Sequence, residues 1–267
     1  MSTDQIEVAR ARYDADGFYL NDNPGLPEDL VRRAVEGMDA LRDGEYDTGV
    51  PPEESPWNPG DDPDRLCKIE MPQFGNRAIM ELISHPALGD FVGQLTGAKW
   101  VQVWWVQLLY KPPKPATSDD DTSIGWHTDR QYHCPPWTRD SELFTAWVAL
   151  SDVTASSGPM KFVPGSHRTP VGDDGGDFFA QDLASQRDSI RLPDGTPWRE
   201  VEAVLPPGGV SIHHRDTLHG SGPNVSNQPR RSFAIHMRTD KSETVDAARI
   251  GLTEFLEDPR CPIVYRE

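Results

Sequence analysis

Three side chains in this sequence have the chemistry to hold a divalent metal ion while leaving part of its coordination sphere open. His127 and Asp129 stand two residues apart in Trp126-His127-Thr128-Asp129. In an extended strand, residues i and i+2 project from the same face, so this imidazole and carboxylate can bind one ion together. A second imidazole from a neighbouring strand completes a 2-His-1-carboxylate facial triad, the donor set that leaves positions on Fe(II) for an organic cosubstrate and dioxygen. His219 offers that imidazole, in the stretch Asp216-Thr217-Leu218-His219-Gly220-Ser221-Gly222-Pro223-Asn224. An H-x-D pattern by itself also fits a surface His-Asp pair, so the metal reading rests on what else the chain supplies.

The elements around these residues suit such a site. Residues 3–14 read as a helix, and Phe18-Tyr19-Leu20 as a first strand. Gly25-Leu26-Pro27-Glu28-Asp29 opens a second helix, with proline near the first turn, two acids at the positive end of the dipole, and a buried stripe of Leu30, Ala34, Met38 and Leu41. Two further helices are expected over 76–84, with Asn76 as N-cap, and over 86–95. Residues 100–110 are rich in β-branched and aromatic side chains and read as a long strand. Shorter strands follow at 144–150, 160–163, 201–205, 210–214 and 232–238, separated by Gly-Pro turns. Helices at the front and short strands at the back predict a mainly β chain with flanking α-helices, a two-sheet jelly roll with helices on one outer face. His127 falls on an early strand of the β half and His219 on a late one, and a jelly roll brings such strands together.

Composition narrows the function. Forty-three acidic against 26 basic residues give a net charge of -17. Such a surface repels phosphate backbones and anionic headgroups, so neither nucleic acid nor a membrane is an expected partner. The first seven residues show no basic and apolar leader, and no run has the length of a membrane span. Three irregularly placed cysteines, Cys67, Cys134 and Cys261, give neither a disulfide framework nor a zinc site. A cytoplasmic protein with reduced thiols is expected. The 267 residues, with 25 prolines and 22 glycines scattered without period, read as a single domain spanning 1–267: a helical part over about 1–98, a jelly-roll core over about 99–240 and an extension over 241–267.

Taken in order, Trp126-His127-Thr128-Asp129, Thr145-Ala146-Trp147-Val148-Ala149-Leu150, Gly158-Pro159-Met160-Lys161-Phe162-Val163-Pro164-Gly165-Ser166-His167, His219-Gly220-Ser221-Gly222-Pro223-Asn224 and Arg230 resemble the phytanoyl-CoA dioxygenase family of Fe(II)- and 2-oxoglutarate-dependent oxygenases. The likeness runs from Asp16-Gly17-Phe18 to about Arg238. It implies a double-stranded β-helix of the cupin-like kind, with Fe(II) on His127, Asp129 and His219, and with 2-oxoglutarate and O2 as cosubstrates. It also implies oxidative decarboxylation to succinate and CO2 coupled to hydroxylation of an unactivated C-H bond. Desaturation, ring closure or epimerisation by the same iron site remain open, as does a non-catalytic jelly-roll binding protein. The family's arginine for the far carboxylate of 2-oxoglutarate follows the distal histidine by eleven residues, which places that role on Arg230. Arg231 is the rival, and strand alternation lets only one of the two look inward. Gln107, Trp147 and Ser221 are implied as further residues of the cosubstrate pocket.

For the substrate, the walls are expected to include Trp126, Arg130 and Tyr132 beside the ligands, the strand aromatics Trp104 and Trp105, and the segment 71–74. An acidic chain shows no basic platform for a CoA thioester, so a small free molecule is expected, a natural-product intermediate or an amino-acid derivative, acted on by a monomer or homodimer. The loop over 47–64, or the segment 112–122, is expected to cover the pocket mouth. Of the other histidines, one of His213 and His214 should be buried and the other exposed. His133 is read as within reach of substrate, His167 as ordering a loop, and His85 and His236 as structural.

Overall fold

In the computed structural model, residues 3–113, 122–133, 136–168, 176–192, 197–245 and 251–267 are described. Six α-helices and eleven strands occur among them: α1 (Thr3–Asp16), β1 (Phe18–Asn21), α2 (Glu28–Arg42), β2 (Cys67–Glu70), α3 (Arg77–Ile83), α4 (Pro86–Thr96), β3 (Trp100–Lys111), β4 (Ile124–His127), α5 (Arg130–His133), β5 (Leu143–Ala149), β6 (Met160–Phe162), α6 (Leu183–Ser189), β7 (Val201–Glu202), β8 (Val210–His214), β9 (His219–Ser221), β10 (Arg230–Thr239) and β11 (Ile263–Arg266). The helix starts follow local chemistry. Asn76 caps α3 by accepting from the Ile79 amide, and His85 caps α4 just before its Pro86.

The strands form two antiparallel sheets. The larger runs β1-β8-β5-β10-β3-β11, with β2 also paired to β3, and the smaller runs β4-β9-β6-β7. This is the expected jelly roll. Alternation sorts the large sheet into two faces. Val106, Leu108, Phe144, Ala146, Val148, Ile212, Phe233 and Ile235 point outward and join one core with Ile6, Leu30, Met38, Leu82 and Phe91 from the helices. The opposite face looks across a cavity toward the small sheet.

Two features of the large sheet shape that cavity. Between β10 and β3 the register shifts, His236 lying opposite Trp105 and Met237 opposite Val103, which leaves Trp104 as the extra residue of a β-bulge. Trp104 and Trp105 therefore both reach the cavity wall although they are neighbours in sequence. The second feature is parity at the start of β10. Arg230 faces inward, while Arg231 turns out to α2, its Nη2 3.2 Å from Asp39 Oδ2.

No strand is expected from the sequence beyond residue 240, yet β11 pairs with β3 at the sheet edge. The contact with α4 explains how tightly it is held. A Cβ on Gly89 would lie 1.9 Å from the Val264 carbonyl oxygen, and one on Gly93 would lie 2.2 Å from the Tyr265 ring. These glycines, one turn apart, let the helix lie directly on the strand. No described helix is long and apolar enough to cross a membrane, and Cys67 and Cys261 are free and buried.

Gly89→Ala should accordingly destabilise the fold by about 1–3 kcal/mol, because the backbone carbonyl it meets cannot move cheaply and the overlap outweighs alanine's better helix propensity. Asp90→Ala, on the exposed side of the same helix, should stay within about 0.5 kcal/mol. Urea unfolding of the two variants checks this, and equal midpoints would show that β11 does not depend on the close approach.

Candidate active site

The two sheets meet around a cavity of about 390 Å³. In the small sheet, His127 on β4 lies opposite His219 on β9, and their ring centroids are 4.2 Å apart. Each ring is oriented by a backbone carbonyl two residues earlier: His127 Nδ1 lies 2.8 Å from Gly125 O, and His219 Nδ1 lies 2.8 Å from Thr217 O. A carbonyl only accepts, so each Nδ1 carries the proton and each Nε2 presents a lone pair. Burial pushes both imidazoles down from their ordinary pKa, which keeps them neutral and competent as donors.

Asp129 follows β4 at the turn into α5. Its Oδ1 lies 3.7 Å from His219 Nε2. Its Oδ2 accepts from Thr145 Oγ1 at 2.6 Å and stands 3.3 Å from His213 Nε2. Burial alone would raise this carboxyl, but His213 and the neighbouring imidazoles hold it well below the usual carboxylate range. The ligand atoms of His127, Asp129 and His219 lie within 4.8 Å of one another, and all three residues are buried. One ion with bonds of about 2 Å can draw such a group together.

Asp129, His133 and His236 form a second cluster of the same spread, in which the Nδ1 edge of His236 is already engaged. Thr145 has one hydroxyl proton, given to the Asp129 carboxylate, so its oxygen accepts from His236 Nδ1, 2.9 Å away. That edge of His236 is therefore a donor and not a metal ligand. It positions Asp129 through Thr145.

Arg230 lies on the same cavity wall. It is 1 % exposed, its Nη1 donates to Gly158 O at 2.7 Å, and its Nε and Nη2 have no hydrogen-bond partner among the described residues. Burial pulls its pKa down to about 10, so it stays charged at neutral pH. Its guanidinium stands 5.3 Å from the Trp147 ring. The carbonyl that steadies it belongs to a glycine at φ +68, and a Cβ there would come 2.4 Å from Gly222 O, so the turn requires glycine. A buried guanidinium with two idle donors is costly unless an anion shares the site. Gln107, Trp147 and Ser221 also line this cavity. Ser221 Oγ accepts from Lys111 Nζ at 2.8 Å, which leaves its own proton to donate.

The remaining sequence expectations divide. Tyr132, Trp104, Trp105 and His133 reach the cavity. Trp126 does not. It precedes the inward His127, so alternation sends it to the outer face, against Val163, Leu218 and Trp198. Arg130 is likewise turned away, its guanidinium bound to both carboxylate oxygens of Asp216. His236, read as structural, is on the cavity wall, whereas Met71 and Phe74 pack in a separate cluster with Cys261. The loop over 47–64 contributes nothing to the cavity. It folds against α2 and β2, with Trp57 Nε1 bonded to Arg42 O and Ser55 Oγ accepting from the Glu70 amide. Most of the 112–122 segment lies outside the described residues. Of the histidine doublet, His213 is buried and His214 half-buried, and His167 Nε2 lies 3.2 Å from Asp14 O. Lys68, Glu70, Phe178 and Phe179 also line the wall. None is foreseen, although the alternation Cys67-Lys68-Ile69-Glu70 carries a strand signal.

The sequence matches the phytanoyl-CoA dioxygenase (PhyH) family over residues 13–232. Among characterised relatives, a probable alpha-ketoglutarate-dependent hypophosphite dioxygenase of Stutzerimonas stutzeri is 30 % identical over 64 % of this chain and 56 % of its own length, so the match spans little more than half of that relative. The ectoine dioxygenase of Bordetella parapertussis is 27 % identical over 94 % of this chain and 80 % of its own. The crystal structure of SnoN, an alpha-ketoglutarate-dependent epimerase of nogalamycin biosynthesis, superposes with a TM-score of 0.72 at 22 % identity, covering 99 % of this chain and 100 % of SnoN. With the family matched across most of its length and the jelly roll shared, this chain belongs to the phytanoyl-CoA dioxygenase family of non-haem oxygenases.

Proposed function

We propose that this protein is an Fe(II)- and 2-oxoglutarate-dependent dioxygenase that hydroxylates an unactivated C-H bond of a small molecule, releasing succinate and CO2. One observation carries the reading: His127, Asp129 and His219 converge on the wall of a cavity that also holds Arg230, a buried guanidinium without a carboxylate partner among the described residues. The donor set fits the ion, since two neutral imidazoles and one carboxylate leave half of an octahedral sphere open. SnoN, in a second structure, holds Fe3+, alpha-ketoglutarate and nogalamycin RO, which supports the same cofactors here. The substrates in the relatives' names, hypophosphite, ectoine and nogalamycin, are all small molecules.

When bound, iron with 2-oxoglutarate supplies the activation of dioxygen, and the protein supplies placement. His127 and His219 would hold the ion through Nε2, with Gly125 O and Thr217 O keeping the rings from rotating. Asp129 would neutralise one of its charges, steadied by Thr145 and His213. Arg230 would take the far carboxylate of 2-oxoglutarate, its planar fork matched to two oxygens, while Trp147 covers its face. Trp104, Trp105 and Tyr132 line the other part of the cavity, where a substrate would lie beside the ion. SnoN carries out epimerisation on this fold, and labelled dioxygen separates the outcomes: a hydroxylase places label in both succinate and product, an epimerase in succinate alone.

His219→Ala should abolish turnover and iron binding. His214→Ala, on the outward edge of β8, should retain most activity, and His213→Ala should fall between them because its ring touches Asp129. Iron titration and succinate release measure the series, and an active His219→Ala beside a dead His214→Ala would reverse the ligand assignment.

Arg230→Ala should weaken 2-oxoglutarate binding by on the order of 3 kcal/mol, about a hundredfold, as a bidentate charge-assisted pair in a buried site is lost. Arg231→Ala, which loses its link to Asp39 and its packing over the Tyr110 ring, should bind the cosubstrate like wild type. Anaerobic calorimetry on both variants decides, and a defect confined to Arg231→Ala would transfer the role.

A further inference from the structure

Beyond the triad and Arg230, the described residues that line the cavity include one more pair of charges, and nothing in the catalytic site uses it. Lys68 and Glu70 stand two apart on β2, opposite Leu109 and Gln107 of β3, so alternation turns both inward while Cys67 and Ile69 enter the helical core. Lys68 Nζ lies 3.0 Å from Glu70 Oε1, and the side chains are only 18 % and 11 % exposed. Trp105 Nε1 donates to Glu70 Oε2 at 2.7 Å and fixes the plane of that carboxylate. The Lys68 ammonium stands 5.0 Å from the Phe178 ring, and Phe178 packs 5.1 Å from the His127 ring. One aromatic side chain thus separates the ammonium from the triad.

An ion pair on the wall of a half-enclosed cavity is a poor stabiliser, because desolvation cancels most of its attraction and apolar residues would line the space at lower cost. Its worth lies in presenting two opposite charges to whatever enters. The charge balance of the cavity states what that is. With a divalent ion and 2-oxoglutarate bound, the positive charges of the ion, Arg230 and Lys68 on the cavity wall are matched by Asp129, Glu70 and the two cosubstrate carboxylates, while Lys111 stands behind Ser221 with its ammonium held by Ser221 Oγ and Gly222 O. A guest with net charge would break that balance in a low-dielectric space, whereas a neutral one with separated charges keeps it.

We infer that the substrate is a small zwitterion, its carboxylate received by Lys68 and its cationic nitrogen by Glu70 and the faces of the surrounding aromatic rings. The aromatic walls suit the second role, since Trp105 and Tyr132 line the cavity and their rings attract a cation. Lys68 has donors to spare for the first: an ammonium gives three hydrogen bonds, and among the described residues Glu70 is its one ion-pair partner. The assignment rests on the 2-oxoglutarate reading, because the charge balance counts that cosubstrate.

The test is calorimetric, on the anaerobic protein loaded with Fe(II) and 2-oxoglutarate. The probes are linear and cyclic α-amino acids, each offered as the free zwitterion, the methyl ester and the N-acetyl derivative. The zwitterions should bind at least about tenfold tighter than either singly charged form. Lys68→Met should lose the preference over esters, and Glu70→Gln the preference over N-acetyl derivatives. Lys68→Arg should keep both, and all three variants should hold 2-oxoglutarate within about twofold of wild type. Esters or N-acetyl forms binding as tightly as the zwitterions, no zwitterion binding above its derivatives, or preferences unchanged in both charge-removing variants would each overturn the inference while leaving the cosubstrate reading intact. Failure of the wild-type protein to bind 2-oxoglutarate at all would overturn both.

Discussion

The alternation of side chains along β-strands is the constraint on which this protein depends. Along β10, Phe233, Ile235 and Met237 seal the core beneath the helices, so Arg230, Ala234 and His236 have no choice but to face the cavity. The same parity places Trp147 and Thr145 inward on β5 and His213 inward on β8. Stability and chemistry thus occupy opposite faces of one sheet. The apolar face can be packed for cohesion without regard to the reaction, and the inner face can carry charges that no core would tolerate.

Those charges come at a cost that the fold bears locally. The cavity holds a guanidinium with two idle donors, a carboxylate among imidazoles and several histidines that burial keeps neutral. Each is held by rigid neighbours: Gly158 O on Arg230, Thr145 on Asp129, and two backbone carbonyls on the histidine rings. A ligand that supplies the missing charges to the folded state alone also stabilises it by mass action. The arrangement suits the ion and the anion proposed for it.

The proteins this chain resembles bear names for different reactions and very different substrates, on one architecture. Function on a shared fold resides in the walls of the site. Here part of the wall comes from outside the two sheets' central strands. Lys68 and Glu70 come from β2, attached to the edge of β3. Tyr132 comes from the short α5, and Phe179, 71 % exposed, comes from a loop.

Much of this was legible in the residues alone. The helices, the long strand over 100–110, the later strands and their turns follow from periodicity and from Gly and Pro, because those signals are local. His127 with Asp129 could be read as a pair from their spacing, although Asp129 lies at the turn beyond β4 and not on the strand, and Arg230 over Arg231 from the family's spacing to the distal histidine, parity adding only that one of the two faces inward. What sequence could not decide is which residues meet across elements. The bulge that brings Trp104 and Trp105 to the same wall exists only in the pairing of β3 with β10. Arg130 is withdrawn from the cavity by Asp216, 86 residues further on. His236 joins the site through Thr145, 91 residues before it. Lys68 and Glu70 face the cavity only because β2 pairs with β3 in one register. In each case the deciding partner is distant in the chain, and distance in sequence carries no information about contact until the sheets have closed.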